Sequence, residues 1–356
     1  MSRYSRDQTI RVKVGNVIIG GSDHVVIQSM TNTSTHDVNA TLLQIKALQA
    51  AGAEIVRVAV PDKVALEALP AIVKKSPVPI VADIHFDSAL ALGAIEAGVA
   101  KVRINPGNIG SEAKVREIIR LAKKHATAIR IGINSGSIGG DHDQLVKTSL
   151  DVLSKYIEWF KSERFDQLVI SMKSSNTLET IKMNKQIAKH YRYPLHIGVT
   201  ESGVGDAAIV HSSIGIGHLL LKGIGNTIRV SLPGDPVKEI PVAREILQAV
   251  GLIREGVRLI ACPSCGRTQI NTEKFAKLVT EKLKDIQTPI KVAIMGCVVN
   301  GPGEAKGATY ALCGGKKEGL IFAHGQQVRK VPNEDLVTAL LEVIDADLKT
   351  TKEEPK

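Results

Sequence analysis

Aromatic side chains are scarce in this 356-residue chain, with one Trp, five Tyr and five Phe making up 3% of it. Nucleic-acid bases would find little to stack on, so the excess of 46 Lys and Arg over 36 Asp and Glu does not by itself signal a nucleic-acid groove. The basic residues are also dispersed rather than gathered in a run. A phosphorylated small substrate or an acidic protein electron donor suits the charge as well. Cysteine is sparse too. Four in such a length argue for a reducing interior and against a disulfide scaffold. No run of 18 apolar residues occurs, and the opening Met1-Ser2-Arg3-Tyr4-Ser5-Arg6 has no apolar core. The expectation is a cytoplasmic protein that is neither secreted nor membrane-spanning. There is no low-complexity segment and no repeat apart from the alternation described next.

What is present is the composition of a globular protein, 44% hydrophobic and 23% charged, with room for one large domain and one small one. Residues 10–20 alternate and turn at Gly15-Asn16, which predicts a hairpin. From there to about residue 250, short β-branched runs alternate with longer helical patterns. The runs are 25–29, 55–60, 79–83, 101–104, 128–133, 168–172, 195–199 and 227–230; the helices between them include 38–51, 111–125, 177–191 and 236–250. Continuous apolar strands alternating with helices mean a parallel sheet covered on both faces, and eight repeats predict an α/β fold of the closed (β/α)8 barrel type over residues 1–250. An open doubly wound sheet is the alternative, but no Gly-rich turn follows the first strand.

Polar residues collect at the C-terminal ends of those runs, the face on which barrel sites form. Arg57, Arg103, Arg130 and Arg229 are charges inside otherwise apolar strands, where an unpaired charge is expensive. Each could belong to a structural ion pair. Together with Lys173, however, they outnumber the inward carboxylates expected, Asp83 and Glu201. That surplus predicts a ligand bearing phosphates, gripped by guanidinium forks. Asp83 and Glu201 are candidates for proton transfer or for holding a substrate hydroxyl. His85 and His196 read as packing or hydrogen-bonding histidines, His211 and His218 as helix-surface ones, and Trp159 as core.

Beyond Gly251 the rhythm changes to β-α-β-β-β-α, an α+β domain over 251–348, followed by a polar tail, 349–356, expected to be disordered. This domain holds all four cysteines. Cys262-Pro263-Ser264-Cys265 brings two thiols within reach of one centre, and Cys297 lies at the end of the apolar run 292–295. A zinc knuckle, a redox dithiol and ordinary buried cysteines are all compatible with that spacing. Zinc would want a fourth soft ligand, and only Cys313 remains. Three thiolates with one harder ligand suit a [4Fe–4S] cluster.

Long strings in both halves carry a resemblance that covers nearly the whole chain. They are Gln28-Ser29-Met30-Thr31-Asn32-Thr33, Val81-Ala82-Asp83-Ile84-His85-Phe86, Val102-Arg103-Ile104-Asn105-Pro106-Gly107-Asn108 and Ser171-Met172-Lys173-Ser174-Ser175. Gly198-Val199-Thr200-Glu201-Ser202-Gly203, Cys262-Pro263-Ser264-Cys265-Gly266-Arg267 and Met295-Gly296-Cys297-Val298-Val299-Asn300-Gly301-Pro302-Gly303-Glu304 complete them. The chain resembles the 4-hydroxy-3-methylbut-2-enyl diphosphate synthases, iron–sulfur enzymes of the methylerythritol phosphate route to isoprenoids. The resemblance implies a barrel and a cluster domain like those of sulfite and nitrite reductases. It implies a [4Fe–4S] cluster on Cys262, Cys265, Cys297 and Glu304, with no role for Cys313. The implied reaction is reductive ring opening and dehydration of 2-C-methyl-D-erythritol 2,4-cyclodiphosphate. Arg57, Arg103, Arg130, Asn134, Lys173, Thr200 and Ser231 would hold the diphosphate, Asp83 and Asn105 would face the carbon skeleton, and Glu201 would protonate the departing hydroxyl. Flavodoxin or ferredoxin would supply electrons. There is no room for the extra domain of the family's longer form.

Two other classes remain possible on the residues alone. One is a barrel transferase acting on a pterin-like phosphate ester with structural zinc; the other is a basic nucleic-acid-binding protein with a zinc knuckle. The chain's geometry adds an expectation about assembly. Helix 236–250 leads back to the bottom of the barrel over roughly 22 Å at 1.5 Å per residue. Residues 251–256 then span at most about 20 Å. A cluster domain so tethered falls short of its own barrel's mouth, which predicts a head-to-tail homodimer, as the resemblance also suggests.

Overall fold

The computed structural model describes residues 4–106, 108–134, 142–299 and 301–353. The chain divides into two compact units, Met1–Ile253 and Arg254–Lys356.

The first unit opens with the expected hairpin, β1 (Val12–Val14) and β2 (Val17–Ile19), turned by Gly15 at φ 61°. The alternation follows: β3 (Val26–Met30), α1 (Val38–Ala51), β4 (Ile55–Ala59), α2 (Lys63–Lys75), β5 (Ile80–Asp83), α3 (Ser88–Glu96), β6 (Lys101–Ile104) and α4 (Glu112–His125). It continues with β7 (Ala128–Asn134), α5 (His142–Ser162), β8 (Leu168–Lys173), α6 (Thr177–His190), β9 (His196–Ile197), α7 (Asp206–Leu221), β10 (Thr227–Ile228) and α8 (Glu239–Ala249). The eight strands from β3 onward form one parallel sheet in the order β8-β7-β6-β5-β4-β3-β10-β9, and a bridge from Ile170 to Leu195 joins its two ends into a barrel. Several helices start where an acid or amide caps the first turn: Asp37 accepts from the Ala40 amide, Asp62 from Ala65, Asp87 from Ala89 and Asn176 from Leu178 and Glu179.

The two-residue period of a strand divides these side chains. One set (Ile27, Val56, Val58, Ile80, Ala82, Val102, Ile104, Ile129, Ile131 and Ile170 among them) is buried with the helices in the main core. A second set, Val26, Ile55, Val81, Ala128 and Val169, forms a smaller core with Val12, Val14 and Ile19 of the hairpin. These residues lie at or near strand N-termini, so the hairpin plugs the bottom of the barrel. Above the plug, the same inward positions carry the charges. Trp159 is buried in the core, as expected of it.

The second unit is a five-stranded sheet in the order β11-β12-β13-β14-β15. Its elements are β11 (Val257–Ala261), α9 (Thr272–Leu283), β12 (Ile290–Met295), the short α10 (Gly301–Ala305), β13 (Tyr310–Cys313), β14 (Glu318–Ala323), β15 (Gln326–Pro332) and α11 (Leu336–Glu353). The first three strands are parallel and the last two antiparallel. The sequence reading missed β15. Almost every residue in Gln326–Pro332 is exposed, so this edge strand carries no hydrophobic alternation to reveal it. It also missed α10, whose Gly-Pro-Gly start reads as a loop. The expected disordered tail needs correcting as well, because α11 continues past Lys349 to Glu353; 354–356 lie outside the described residues.

Candidate active site in the barrel and the cysteine loops

Asp83 ends β5 with 5% of its side chain exposed and takes part in the main ion-pair cluster inside the barrel. Arg103 donates from Nη1 to Asp83 Oδ1 at 3.2 Å, and Arg57 Nε stands 3.8 Å from Oδ2. His85 Nε2 lies 3.3 Å from Oδ2 and 2.7 Å from Arg103 Nη1, which bears out a hydrogen-bonding histidine. Burial would raise the Asp83 carboxyl, but Arg57, His85 and Arg103 outweigh it and hold it well below the usual carboxylate range. Burial pushes Arg57 down to about 10, with Asp83 opposing.

Arg130 and Lys173 have less relief, from Asp83 and Glu239 at longer range. They are 2% and 8% exposed, and no carboxylate of the described residues forms an ion pair with either. Arg130 Nε and Nη1 are buried without a partner. Burial lowers both groups well below their ordinary values, and surrounding arginines lower them further. An anion arriving here would reverse that cost, because each buried donor gains a charged acceptor. Glycines make space for the cationic heads. A Cβ at Gly132 would stand 2.6 Å from Arg103 Nε, and one at Gly198 would stand 2.7 Å from Lys173 Nζ.

The remaining expected residues surround these. Asn134 ends β7 as the register partner of Lys173, and Asn105 is buried just beyond β6. Thr200 donates its backbone N–H to Ser174 O at 3.2 Å, and Ser231 O accepts from Ser202 Oγ at 3.1 Å, so both sit on loops at the strand ends. Glu201 departs from its expected place. It is exposed, not inward, and has a left-handed backbone with φ 51°.

The second inward carboxylate is Glu239, which the sequence reading did not single out. It is 2% exposed, pairs with Arg229 Nη2 at 3.1 Å, and accepts from Ser29 Oγ at 2.9 Å and the Leu232 amide at 3.2 Å. An acid in the first turn of a helix reads as a dipole partner, which hid its role; the signal was its position soon after Arg229, at the start of the helix that follows β10. Arg229 is therefore answered structurally. Lys101 was missed as well: it is fully buried and donates from Nζ to Gln28 Oε1 at 3.2 Å. His196 is also fully buried, with Nδ1 3.4 Å from Thr227 Oγ1.

In the second unit, β11 and β12 run parallel with Ala261 opposite Ile294. The loops carrying Cys262-Cys265 and Cys297 thus leave neighbouring strands at the same end of the sheet. Cys262 donates its amide to Ile294 O, and the Gln269 amide donates to Gly296 O at 2.8 Å, tying the two loops together. The Gly301 amide donates to Cys297 O at 3.2 Å and starts α10, on which Glu304 is exposed. Among the described residues, no three His, Cys, Asp or Glu side chains converge closely enough for one metal ion. By donor type, the three thiols and the carboxylate suit a cubane, in which each ligand takes a different iron. None of the four cysteines forms a disulfide; Cys265 is exposed and Cys262 half-buried. Cys313 is different: it is fully buried in β13, and a Cβ on Gly301 would stand 2.6 Å from its Sγ. Burial, with Cys297 nearby, pushes its thiol up to about 12.

Known proteins resemble the chain at two levels. Solved dihydropteroate synthases from Yersinia pestis and Xanthomonas albilineans match the barrel with TM-scores of 0.51 and 0.50 at 14% identity, covering 68% and 67% of this chain and 98% of theirs. At that identity only the fold is shared. Sequence relatives run almost end to end. The 4-hydroxy-3-methylbut-2-en-1-yl diphosphate synthase (flavodoxin) of Clostridium tetani is 50% identical over 95% of this chain and 99% of its own. The enzyme of the same name from Aquifex aeolicus is 48% identical over 95% and 96%. Family models for the GcpE TIM-barrel domain and the GcpE protein C-terminal domain match residues 9–244 and 258–346. With both domain models matched in order along nearly the whole length, the chain belongs to the GcpE family.

Proposed function

We propose that this chain catalyses the reductive ring opening and dehydration of 2-C-methyl-D-erythritol 2,4-cyclodiphosphate to (E)-4-hydroxy-3-methylbut-2-enyl diphosphate, with electrons from flavodoxin or a ferredoxin. The observation that carries the reading is the buried positive charge of Arg130 and Lys173, with which no carboxylate of the described residues forms an ion pair, in a chain whose full-length relatives bear this synthase's name. Arg57, Arg103, Arg130, Asn134, Lys173, Thr200 and Ser231 bind the diphosphate, and the buried cations exclude water from around it. Asp83, held ionised, and Asn105 face the carbon skeleton and orient its hydroxyls. Glu201 gives the proton with which the departing hydroxyl leaves as water; its exposure at the mouth lets it take that proton back from solvent. Cys262, Cys265, Cys297 and Glu304 would hold a [4Fe–4S] cluster, which supplies one-electron transfers and Lewis acidity at an iron whose carboxylate ligand is more exchangeable than a thiolate.

The test is an anaerobic assay of the reconstituted protein with the cyclic diphosphate and a chemical reductant. Formation of the linear diphosphate is expected. Intact substrate in the presence of a full cluster would overturn the reading.

The protein is further proposed to act as a head-to-tail homodimer in which each cluster unit serves the partner's barrel. Supporting this are the short segment between Ala249 and Val257 and the apolar residues Val210, Ile214 and Leu221 exposed on α7, a surface that a second copy would bury. Mixing Lys173→Ala with Cys297→Ala, each inactive alone, should restore activity, because a mixed dimer then has one intact site. No recovery after verified subunit exchange would rule out the shared site.

A further inference from the structure

The floor of the barrel holds a charge that none of the roles above uses. Lys101 is two residues before Arg103 on β6, so it lies on the same face about 6.6 Å deeper. Its side chain is fully buried, and among the described residues its ammonium donates to the neutral amide oxygen of Gln28 and to no carboxylate. Around it, Gln28 Nε2, Arg130 Nε and Nη1, and His196 Nε2 are buried donors or acceptors without partners. Among the described residues of the interior, Arg57 (β4), Lys101 and Arg103 (β6), Arg130 (β7), Lys173 (β8) and Arg229 beyond β10 face two carboxylates, Asp83 (β5) and Glu239 (α8). The formal surplus is four positive charges, more than a cyclic diphosphate carrying two negative charges can answer.

Ring opening changes the ligand's charge. The cyclic dianion takes up two electrons from the flavoprotein donor and one proton. A carbon–oxygen bond to one phosphate breaks with its electron pair left on the phosphate oxygen, and the hydroxyl departs as water, leaving a linear trianion. One phosphodiester has become a terminal phosphate. Resting on the function proposed above, we infer that Lys101 is a positioning residue that tunes the barrel for the ring-opened diphosphate over the cyclic one. It lies too deep to be needed for gripping either form, and its field acts on the charge that appears when the ring opens. Without ligand, burial and repulsion by Arg130 and Arg57 disfavour its ammonium form. The added negative charge of the product relieves that repulsion, so a proton enters the floor as the product forms.

The experiment is isothermal titration of the holoenzyme without reductant, using the cyclic diphosphate and then the linear product, each in two buffers of different ionisation enthalpy. Wild type should bind the linear form more tightly and take up more protons with it. In Lys101→Met, affinity for the linear form should fall at least about tenfold, as expected for one charge at such depth, while affinity for the cyclic form changes less than about threefold. The difference in proton uptake should shrink at the same time. Lys101→Gln, which keeps a hydrogen bond to Gln28, provides the same comparison if the Met variant does not fold. Equal weakening of both ligands, or no change in either, would overturn the role of Lys101. Failure of wild type to bind either diphosphate would instead overturn the function on which it rests.

Discussion

The two units present their chemistry in opposite ways. In the barrel, Asp83, Arg103, Arg130 and Lys173 are at most 8% exposed, and strand register holds them in place before any ligand arrives. In the second unit, Cys265 and Glu304 are exposed on a turn and on a five-residue helix, and backbone hydrogen bonds tie the two cysteine loops together. The barrel is a preorganised field that is costly when empty. The cysteine loops cost little when empty and are completed by what they bind, since metal binding and local folding are coupled.

This contrast is broken most directly at the cysteines. Cys297→Ser should abolish iron and sulfide binding and all turnover, while the barrel's thermal transition stays where it was. Cys313→Ala should retain iron, sulfide and activity; loss of iron there would show that the ligand set includes the buried thiol. Next in size is the structural half of the barrel's charge. Glu239→Ala leaves the half-buried Arg229 without its carboxylate and should cost about 3 kcal/mol of stability by chemical denaturation. A small loss would mean that water reaches Arg229.

Lys173→Ala and Arg130→Ala probe the other half. Each should lose about 2–4 kcal/mol of transition-state stabilisation in kcat/KM, with the visible spectrum of the cluster unchanged. Wild-type kinetics in both would remove the diphosphate from this site. The smallest effect concerns the empty barrel. Inorganic pyrophosphate at tenfold over its Kd should add about 1.4 kcal/mol, or roughly 3–6 °C, to the barrel transition. Because Lys101 and Lys173 have folded pKa values below the ordinary 10.5, the unfolded chain binds more protons between the two values. Stability of the ligand-free chain should therefore rise with pH as it approaches 10.5, and pyrophosphate should flatten that rise. A ligand-free stability that falls with pH over this range would contradict the buried-cation picture.

Much of this arrangement was legible in the residues. Apolar runs of strand length alternating with helical patterns specified the parallel sheet, and eight of them specified the barrel, because a parallel strand must be covered on both faces. The plug was legible only as a hairpin; its packing beneath Val26, Ile55 and Val81 is a contact between segments far apart in the chain. In the second unit the signal failed at β15, whose exposed edge position imposes no pattern on its residues.

The residue types and their spacing by themselves determined the strand rhythm, the inward arginines and the pairing of Cys262 with Cys265 on one turn, since each follows from local period or from a short turn. Which charge answers which was left to the tertiary structure. Glu201 and Glu239 are both acids that follow barrel strands, yet one is exposed on a loop and the other, at the start of α8, sits buried against Arg229 and Ser29. Lys101 and Arg103 are two cations on one strand, yet only Arg103 reaches Asp83. Closure of the barrel sets these partnerships, because it brings side chains from different strands to one depth in a medium too poor in water to solvate them separately.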